Sequence, residues 1–272
     1  MMIVPGSAFI TKAASGDGCD DPLTDFYWGN VELLCWCNGV DDGTTFTDET
    51  GNYTITNNSD LVTTQTGNKK FGTAGAVFPY DADQRLEAGD TNDWNFLHDG
   101  TTKFTAEMWF KNGTDRVAMF ATCSGATNKV GVFFHLLDGG EKFGLYVFKG
   151  TAPATIAIDT PVIAALADGE FHHVAFQFDS DETDSYQIFV DGNLEVDGAA
   201  TSTYSSADSE FPLYIGGTPS SFYNLEVDGA ASSFYYIIYK DFAMDDIRIT
   251  KGIARYPASG FTPPCRQFPN TD

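Results

Sequence analysis

The chain has 272 residues, 42% of them apolar, and a formal net charge of −23. That is enough apolar material for a real core, while a surface this acidic repels phosphate and argues against a nucleic-acid partner. No stretch approaches the roughly 20 consecutive apolar residues of a membrane-spanning helix, so membrane insertion is not expected.

The 38 acidic residues are scattered rather than blocked, the pattern of a solubility charge; a Ca²⁺-rich or basic partner is the alternative. With 23 Phe, 12 Tyr and 27 Gly, and no long helical periodicity, the composition points to an all-β protein. The five cysteines (Cys19, Cys35, Cys37, Cys123 and Cys265) are odd in number and follow no repeated spacing. Buried free thiols are therefore expected, with one bridge involving Cys19 or Cys265 left open. The opening Met-Met-Ile-Val-Pro-Gly-Ser has neither the basic region nor the apolar core of a secretion signal.

Residues 1–30 carry Pro5, an acidic knot at Asp17, Asp20 and Asp21, and the aromatic run Phe26-Tyr27-Trp28. They read as an extended arm, either an attachment arm to a larger assembly or an edge strand of the same domain. Val31–Cys37 is a near-continuous apolar run, as in a strand buried on both faces. Two Asp-rich turns follow and lead into Tyr53-Thr-Ile-Thr56. In Phe104–Phe110 the residues Phe104, Ala106, Met108 and Phe110 share one face, and Thr105, Glu107 and Trp109 the other. Arg116–Cys123, Val130–Leu137 and Lys142–Phe148 are three further strands between turns rich in Gly and Asn. Phe171–Phe178 and Ser185–Val190 come next, the second ending in an Asp191-Gly192 turn suited to a tight hairpin. Met244–Thr250 alternates again, and Gly252 breaks it. Ile253–Tyr256 reads as a helical turn folding back over the sheet, and Phe261-Thr-Pro-Pro264 as an extended strap.

The segment Asn193–Ala200 recurs unchanged as Asn224–Ala231, 31 residues later. Two copies cannot build a solenoid, so a local duplication that lengthened a hairpin is the expected origin.

Five pieces occur in order: VELLCW with DGTTFTDETGN, KFG before a strand, FTAEMWF, FHHVAFQF, and LYIGG before DDIRITKGIARY and FTPP. This series resembles the concanavalin A-like, laminin G-like jelly-roll domains, especially those of phage and other virion proteins. The resemblance covers residues 31–268 and implies one antiparallel two-sheet sandwich. Residues 218–238 depart from the pattern as an aromatic-rich insert, either an interface or packing on the host sheet.

The resemblance also implies candidate sites. Laminin G-like domains often hold Ca²⁺ at the sheet rim, and Asp41, Asp42, Asp48, Asp245 and Asp246 could converge there if the first and last strands are neighbours. The plainer alternative is that these aspartates cap backbone groups. Sugar binding in such domains uses loop aromatics, for which Tyr80, Trp94, Phe96, Tyr204, Phe222 and Tyr223 are candidates; each could equally be a buried anchor. His172 and His173 point to opposite faces of a strand and are expected to be structural.

No catalytic residue is expected. The Glu-x-Asp-x-x-Glu of related glucanases is absent, as are a phosphate loop, a Gly-x-Ser-x-Gly elbow and a His-Glu-x-x-His motif. The expected function is that of a non-catalytic virion surface protein, acting in capsid decoration or tail-fibre attachment and able to bind host glycans. Its expected partners are other virion proteins, met through the arm, and further copies of itself in a homo-oligomer. A free carbohydrate-binding module and a glycoside hydrolase are the alternatives.

Overall fold

The computed structural model describes residues 23–79, 81, 84–113, 117–123, 129–150, 156–199, 205, 207–218, 225–227, 230–232 and 241–272. Strands β1 (Val31–Cys35), β2 (Ile55–Asn57), β3 (Thr63–Gln65), β4 (Gly75–Phe78) and β5 (Leu86–Ala88) open the chain. The long strands β6 (Phe104–Lys111), β7 (Val117–Ala121), β8 (Val130–Leu137) and β9 (Lys142–Lys149) follow. Next come β10 (Ile156–Asp159), β11 (Phe171–Phe178), β12 (Tyr186–Val190), β13 (Asn193–Gly198) and β14 (Leu213–Ile215). The short β15 (Leu225–Val227) and β16 (Ala230–Ser232) precede β17 (Phe242–Lys251). The helical pieces among the described residues are 3-10 turns of three or four residues.

Two antiparallel sheets make a sandwich. One runs β13-β12-β11-β6-β17-β4-β3, with β1 also paired to β17; the other runs β10-β9-β8-β7-β14-β5-β2. Period-2 alternation sends one face of each long strand into the space between them. Phe104, Ala106, Met108 and Phe110 of β6 meet Phe134, Leu136, Phe143, Leu145 and Phe176 there. Strand β17 needs a correction to strict alternation. Asp246 sits at φ 49° where the β17/β6 register shifts, a bulge that lets Met244, Ile247 and Ile249 all reach the core.

The repeated eight-residue segment takes two forms. Its first copy forms β13 on the edge of the large sheet, whereas in the second Leu225–Val227 pairs with Ala230–Ser232 in a separate two-stranded sheet. Cys35, Cys37 and Cys123 are buried free thiols and Cys265 is disulfide-bonded.

The segment expected as a helical turn at Ile253–Tyr256 is an irregular strap. Its backbone groups bond to side chains of the sheet instead of to one another. The Ile253 carbonyl accepts from Thr105 Oγ1, and the Arg255 and Tyr256 amides donate to Thr105 Oγ1 and Gln177 Oε1. Beyond it Tyr256 and Phe261 stack with ring centroids 3.5 Å apart.

The Asp191-Gly192 hairpin helps to fix this strap. Gly192 lies at φ +79°, and its carbonyl accepts from the Phe261 amide at 2.9 Å. A Cβ there would lie 1.9 Å from the Phe261 carbonyl oxygen. Gly192→Ala is therefore expected to lower stability by about 2 kcal/mol or more, since strain at positive φ and backbone overlap add. Urea unfolding measures this, and parent-like stability would contradict the docking of the strap on the hairpin.

Candidate functional site

On the face of β6 turned away from the core, Glu107 is fully buried. Its cross-strand partner on β17 is Arg248. Glu107 Oε1 accepts from Arg248 Nε at 2.9 Å and lies 2.8 Å from Nη2. Oε2 faces His173 Nε2 of β11 at 3.1 Å and accepts from the Tyr256 hydroxyl. Burial alone would raise the Glu107 pKa; Arg248, the His173 hydrogen bond and Arg255 outweigh it and hold the carboxyl well below its ordinary range. Burial likewise works against the Arg248 charge, and Glu107 more than restores it.

The network continues into both chain ends. Arg248 Nη1 donates to Asp25 Oδ2 at 2.9 Å, and Arg255 grips the same carboxylate through Nη1 (3.1 Å) and Nη2 (2.8 Å). Burial pushes the Asp25 carboxyl up, but Arg255 and Arg248 bring it below its usual value. The Asp25 amide donates to the Thr271 carbonyl at 2.7 Å, so the arm end and the tail hold each other. Trp36 Nε1 donates to the Phe268 carbonyl at 2.8 Å, and the Phe268 ring lies 3.7 Å beneath the Arg248 guanidinium.

Between arm and tail opens a pocket of about 230 Å³. Asp25, Tyr27, Arg248, Arg255, Arg266 and Phe268 are among its walls. Phe26, 74% exposed, and Tyr27, 36% exposed, contribute rings at its edge, set edge to face with centroids 5.1 Å apart. Mixed aromatic faces and hydrogen-bonding groups in one concavity suit a small polar ligand.

Of the residues expected from sequence to bind sugar, the two that are described, Trp94 and Phe96, lie away from this pocket. Trp94 is fully buried and donates Nε1–H to the Ala88 carbonyl at 2.9 Å. Phe96 is buried in the same core and carries Lys251 over its ring. Both are anchors of the loop around residues 90–98, because a large ring in a polar loop gains more from burial than from solvent. Tyr80, Tyr204, Phe222 and Tyr223 lie outside the described residues.

Strands β1 and β17 are neighbours, as the Ca²⁺ expectation required. Even so, no three Asp, Glu, His or Cys side chains gather as a metal-holding group among the described residues. The five aspartates bond to amides and side chains. Asp48 accepts from the Leu34, Thr50 and Tyr53 amides, Asp41 from the Thr66 amide, and Asp42 from Gln65 Nε2. Asp245 accepts from the Lys70, Phe71 and Asp246 amides, yet burial pushes its carboxyl up to about 7. Asp246 accepts from the Phe268 amide.

His172 and His173 do face opposite ways. His173 belongs to the Glu107 network, while His172 Nδ1 lies 2.6 Å from Asp191 Oδ2 and Nε2 lies 3.2 Å from Asp168 Oδ1.

The fold is a jelly-roll sandwich with a clasped pocket on one face. A laminin G-type model, described as the concanavalin A-like lectin/glucanases superfamily, matches residues 81–236, and the chain belongs to that superfamily. Among solved structures it is similar to the binding domain of Paraclostridial Mosquitocidal Protein 1, with a TM-score of 0.58 and 9% identity over 84% of this chain and 50% of that one. It is similar to the receptor binding domain of botulinum neurotoxin D, with a TM-score of 0.56 and 10% identity over 84% and 51% of the two chains. It is also similar to the binding domain of Botulinum Neurotoxin DC in complex with SialylT, with a TM-score of 0.54 and 10% identity over 82% and 48%. The chain thus spans about half the length of these structures, and at such identities the likeness is one of fold. No curated protein matches the sequence.

Two expectations follow from the charges. Arg248→Met leaves Glu107 buried without its main counter-charge and is expected to cost about 3–5 kcal/mol in urea unfolding; a loss under about 1 kcal/mol would contradict the network. The hydrogen bond to Asp191, aided by Asp168, raises the His172 pKa against the effect of burial. That stability is fully present below the unfolded value near 6.5 and is lost as pH rises through the higher folded value. The Asp191 side chain is 40% exposed, so solvent screening keeps the effect under about 1 kcal/mol. Asp191→Asn should destabilise the protein at pH 6 and much less at pH 9; an equal loss at both would rule out the ion pair.

Proposed function

We propose that the chain is a non-catalytic glycan-recognition domain carried on a virion surface, as a capsid decoration or tail-fibre element. The observation that carries this reading is the pocket between arm and tail, with the Phe26 and Tyr27 rings at its edge and arginine and hydroxyl groups in its walls. Sugars are bound by this combination of ring faces and polar groups, and their pyranose rings match an exposed tyrosine in size. Superfamily membership supports a binding role, as does likeness to structures that are binding domains by name, one of them in complex with SialylT.

A hydrolase reading finds less support. A glycosidase acid needs a raised pKa at a cleft, whereas the Glu107 carboxyl is held well below the usual range by Arg248 and His173. The virion setting rests on the resemblance of the motif series to virion domains. In that setting residues 1–30 would meet other virion proteins, and copies of the chain would assemble with one another.

A glycan array followed by calorimetry on the full chain tests this reading. Binding to at least one oligosaccharide is expected, unaffected by EDTA, and weakened about tenfold by Tyr27→Ala, the equivalent of about 1.4 kcal/mol. Tyr27 is half-exposed, so the variant should unfold at the parent temperature. An empty array, or binding indifferent to Tyr27→Ala, would overturn the reading.

A further inference from the structure

We propose that Cys35 and Cys37 form a redox-active dithiol, and that closing it to a disulfide moves Trp36 and loosens the tail. The inference does not depend on what the arm–tail pocket binds.

The Cys35 and Cys37 sulfurs lie 3.7 Å apart, in contact within the buried core. Strand alternation alone turns residues two apart to one face but leaves their Cα atoms about 6.6 Å apart, near the upper limit for a disulfide. Cys37 departs from the strand. It lies past the last β1/β17 rung, at Cys35 and Ile247, and takes φ 55°, a left-handed conformation that a residue with a Cβ rarely adopts. Filling the core needs an apolar side chain at each position; it needs neither this strain nor sulfur on sulfur. Cys123 belongs to a separate cluster on the other sheet, and Cys265 is already disulfide-bonded, so each of the two thiols has the other as its partner for closure.

Trp36, between them, is what links the pair to the tail. Its indole N–H donates to the Phe268 carbonyl at 2.8 Å. Phe268 in turn supports the Arg248 guanidinium and forms part of the pocket wall. A sulfur–sulfur bond is about 2.0 Å long, so closure draws the two sulfurs together by about 1.7 Å. The peptide units on both sides of Trp36 are then enclosed in a small ring and must rotate. That rotation carries the indole off the Phe268 carbonyl.

Closure takes place by exchange with a small disulfide such as oxidised glutathione. One cysteine thiolate attacks a sulfur of the oxidant, releasing one glutathione thiol and leaving a mixed disulfide. The second thiolate attacks the cysteine sulfur of that intermediate, forming the Cys35–Cys37 bond and releasing the other glutathione. The two thiol protons end on the two glutathiones, and two electrons pass to the oxidant. The hydrogen bond with Cys35, and then burial, push the Cys37 thiol up. Little thiolate is therefore present at neutral pH, and the pair responds to sustained oxidation instead of a brief pulse.

The test incubates the full chain to equilibrium in excess reduced or excess oxidised glutathione. Peptide mapping without further reduction follows this pair separately from the bridge at Cys265. In oxidised glutathione the peptide carrying Cys35 and Cys37 is expected to lose the mass of two hydrogens, and to regain it in reduced glutathione. Cys35→Ala or Cys37→Ala should abolish the loss, and Cys123→Ala should leave it unchanged. Hydrogen–deuterium exchange in residues 265–271 should become at least about tenfold faster on closure, as expected for local opening, with β8 and β9 protected as before. The measurements on the parent chain decide the matter if a variant folds poorly. No loss of hydrogens, or glutathione retained on one cysteine without closure, overturns the dithiol. Closure with unchanged exchange in the tail overturns its coupling to Trp36.

Discussion

A carboxylate on the middle of a central strand, facing away from the core, would ordinarily sit in water. Glu107 instead lies beneath the tail, and everything on that face answers to its charge. Burying an ion costs several kcal/mol, and a single partner rarely restores that loss. Glu107 has Arg248, His173 and Tyr256 in direct contact, and Arg248 in turn needs Asp25. The set is complete only when the arm residues around Asp25 and the strap around Arg255 and Tyr256 are both docked. The ion pair thus couples the sandwich to both chain ends, and its value lies in specifying one arrangement more than in net stability.

That coupling produces the pocket. Neither the arm end nor the tail has regular structure of its own to shape a cavity. Residues 23–30 hold a short 3-10 turn, and residues 252–272 hold no strand or helix. Their shape comes from side chains anchored on β6, β11 and β17, with Thr105, Gln177 and Arg248 below and Asp246 at the far end, and from Trp36 just after β1. A surface built this way can vary in its loops while the sheet beneath stays constant.

Much of the sandwich was legible in the sequence because alternation and turn chemistry are local. The two faces of Phe104–Phe110, the strands at Val130–Leu137 and Lys142–Phe148, and the Asp191-Gly192 turn need only neighbours within a few residues. Strand register is not local. Nothing in the order of residues says that Arg248 lies opposite Glu107, so the outward face of β6 carried no sign of being covered. The same gap explains the sites. Trp94 and Phe96 look like loop aromatics until the loop is seen folded into the end of the core. Asp41, Asp42, Asp48, Asp245 and Asp246 stand out in the sequence as acids, but the amides and side chains that donate to them come from segments no local pattern connects. Phe26 and Tyr27 were visible as an aromatic run, but the arginines that hold the adjacent Asp25 lie more than 220 residues away at Arg248 and Arg255, beyond any spacing argument.

The most direct test of this account is hydrogen–deuterium exchange on Asp25→Ala, followed by peptide. With the carboxylate gone, Arg248 and Arg255 lose their shared anchor while the sheet ladders remain. The account predicts faster exchange in residues 25–30 and 253–271, with β6, β11 and β17 protected as in the parent. Unchanged exchange in both end segments would contradict it, because the arm and tail would then be held by something other than the buried charge network.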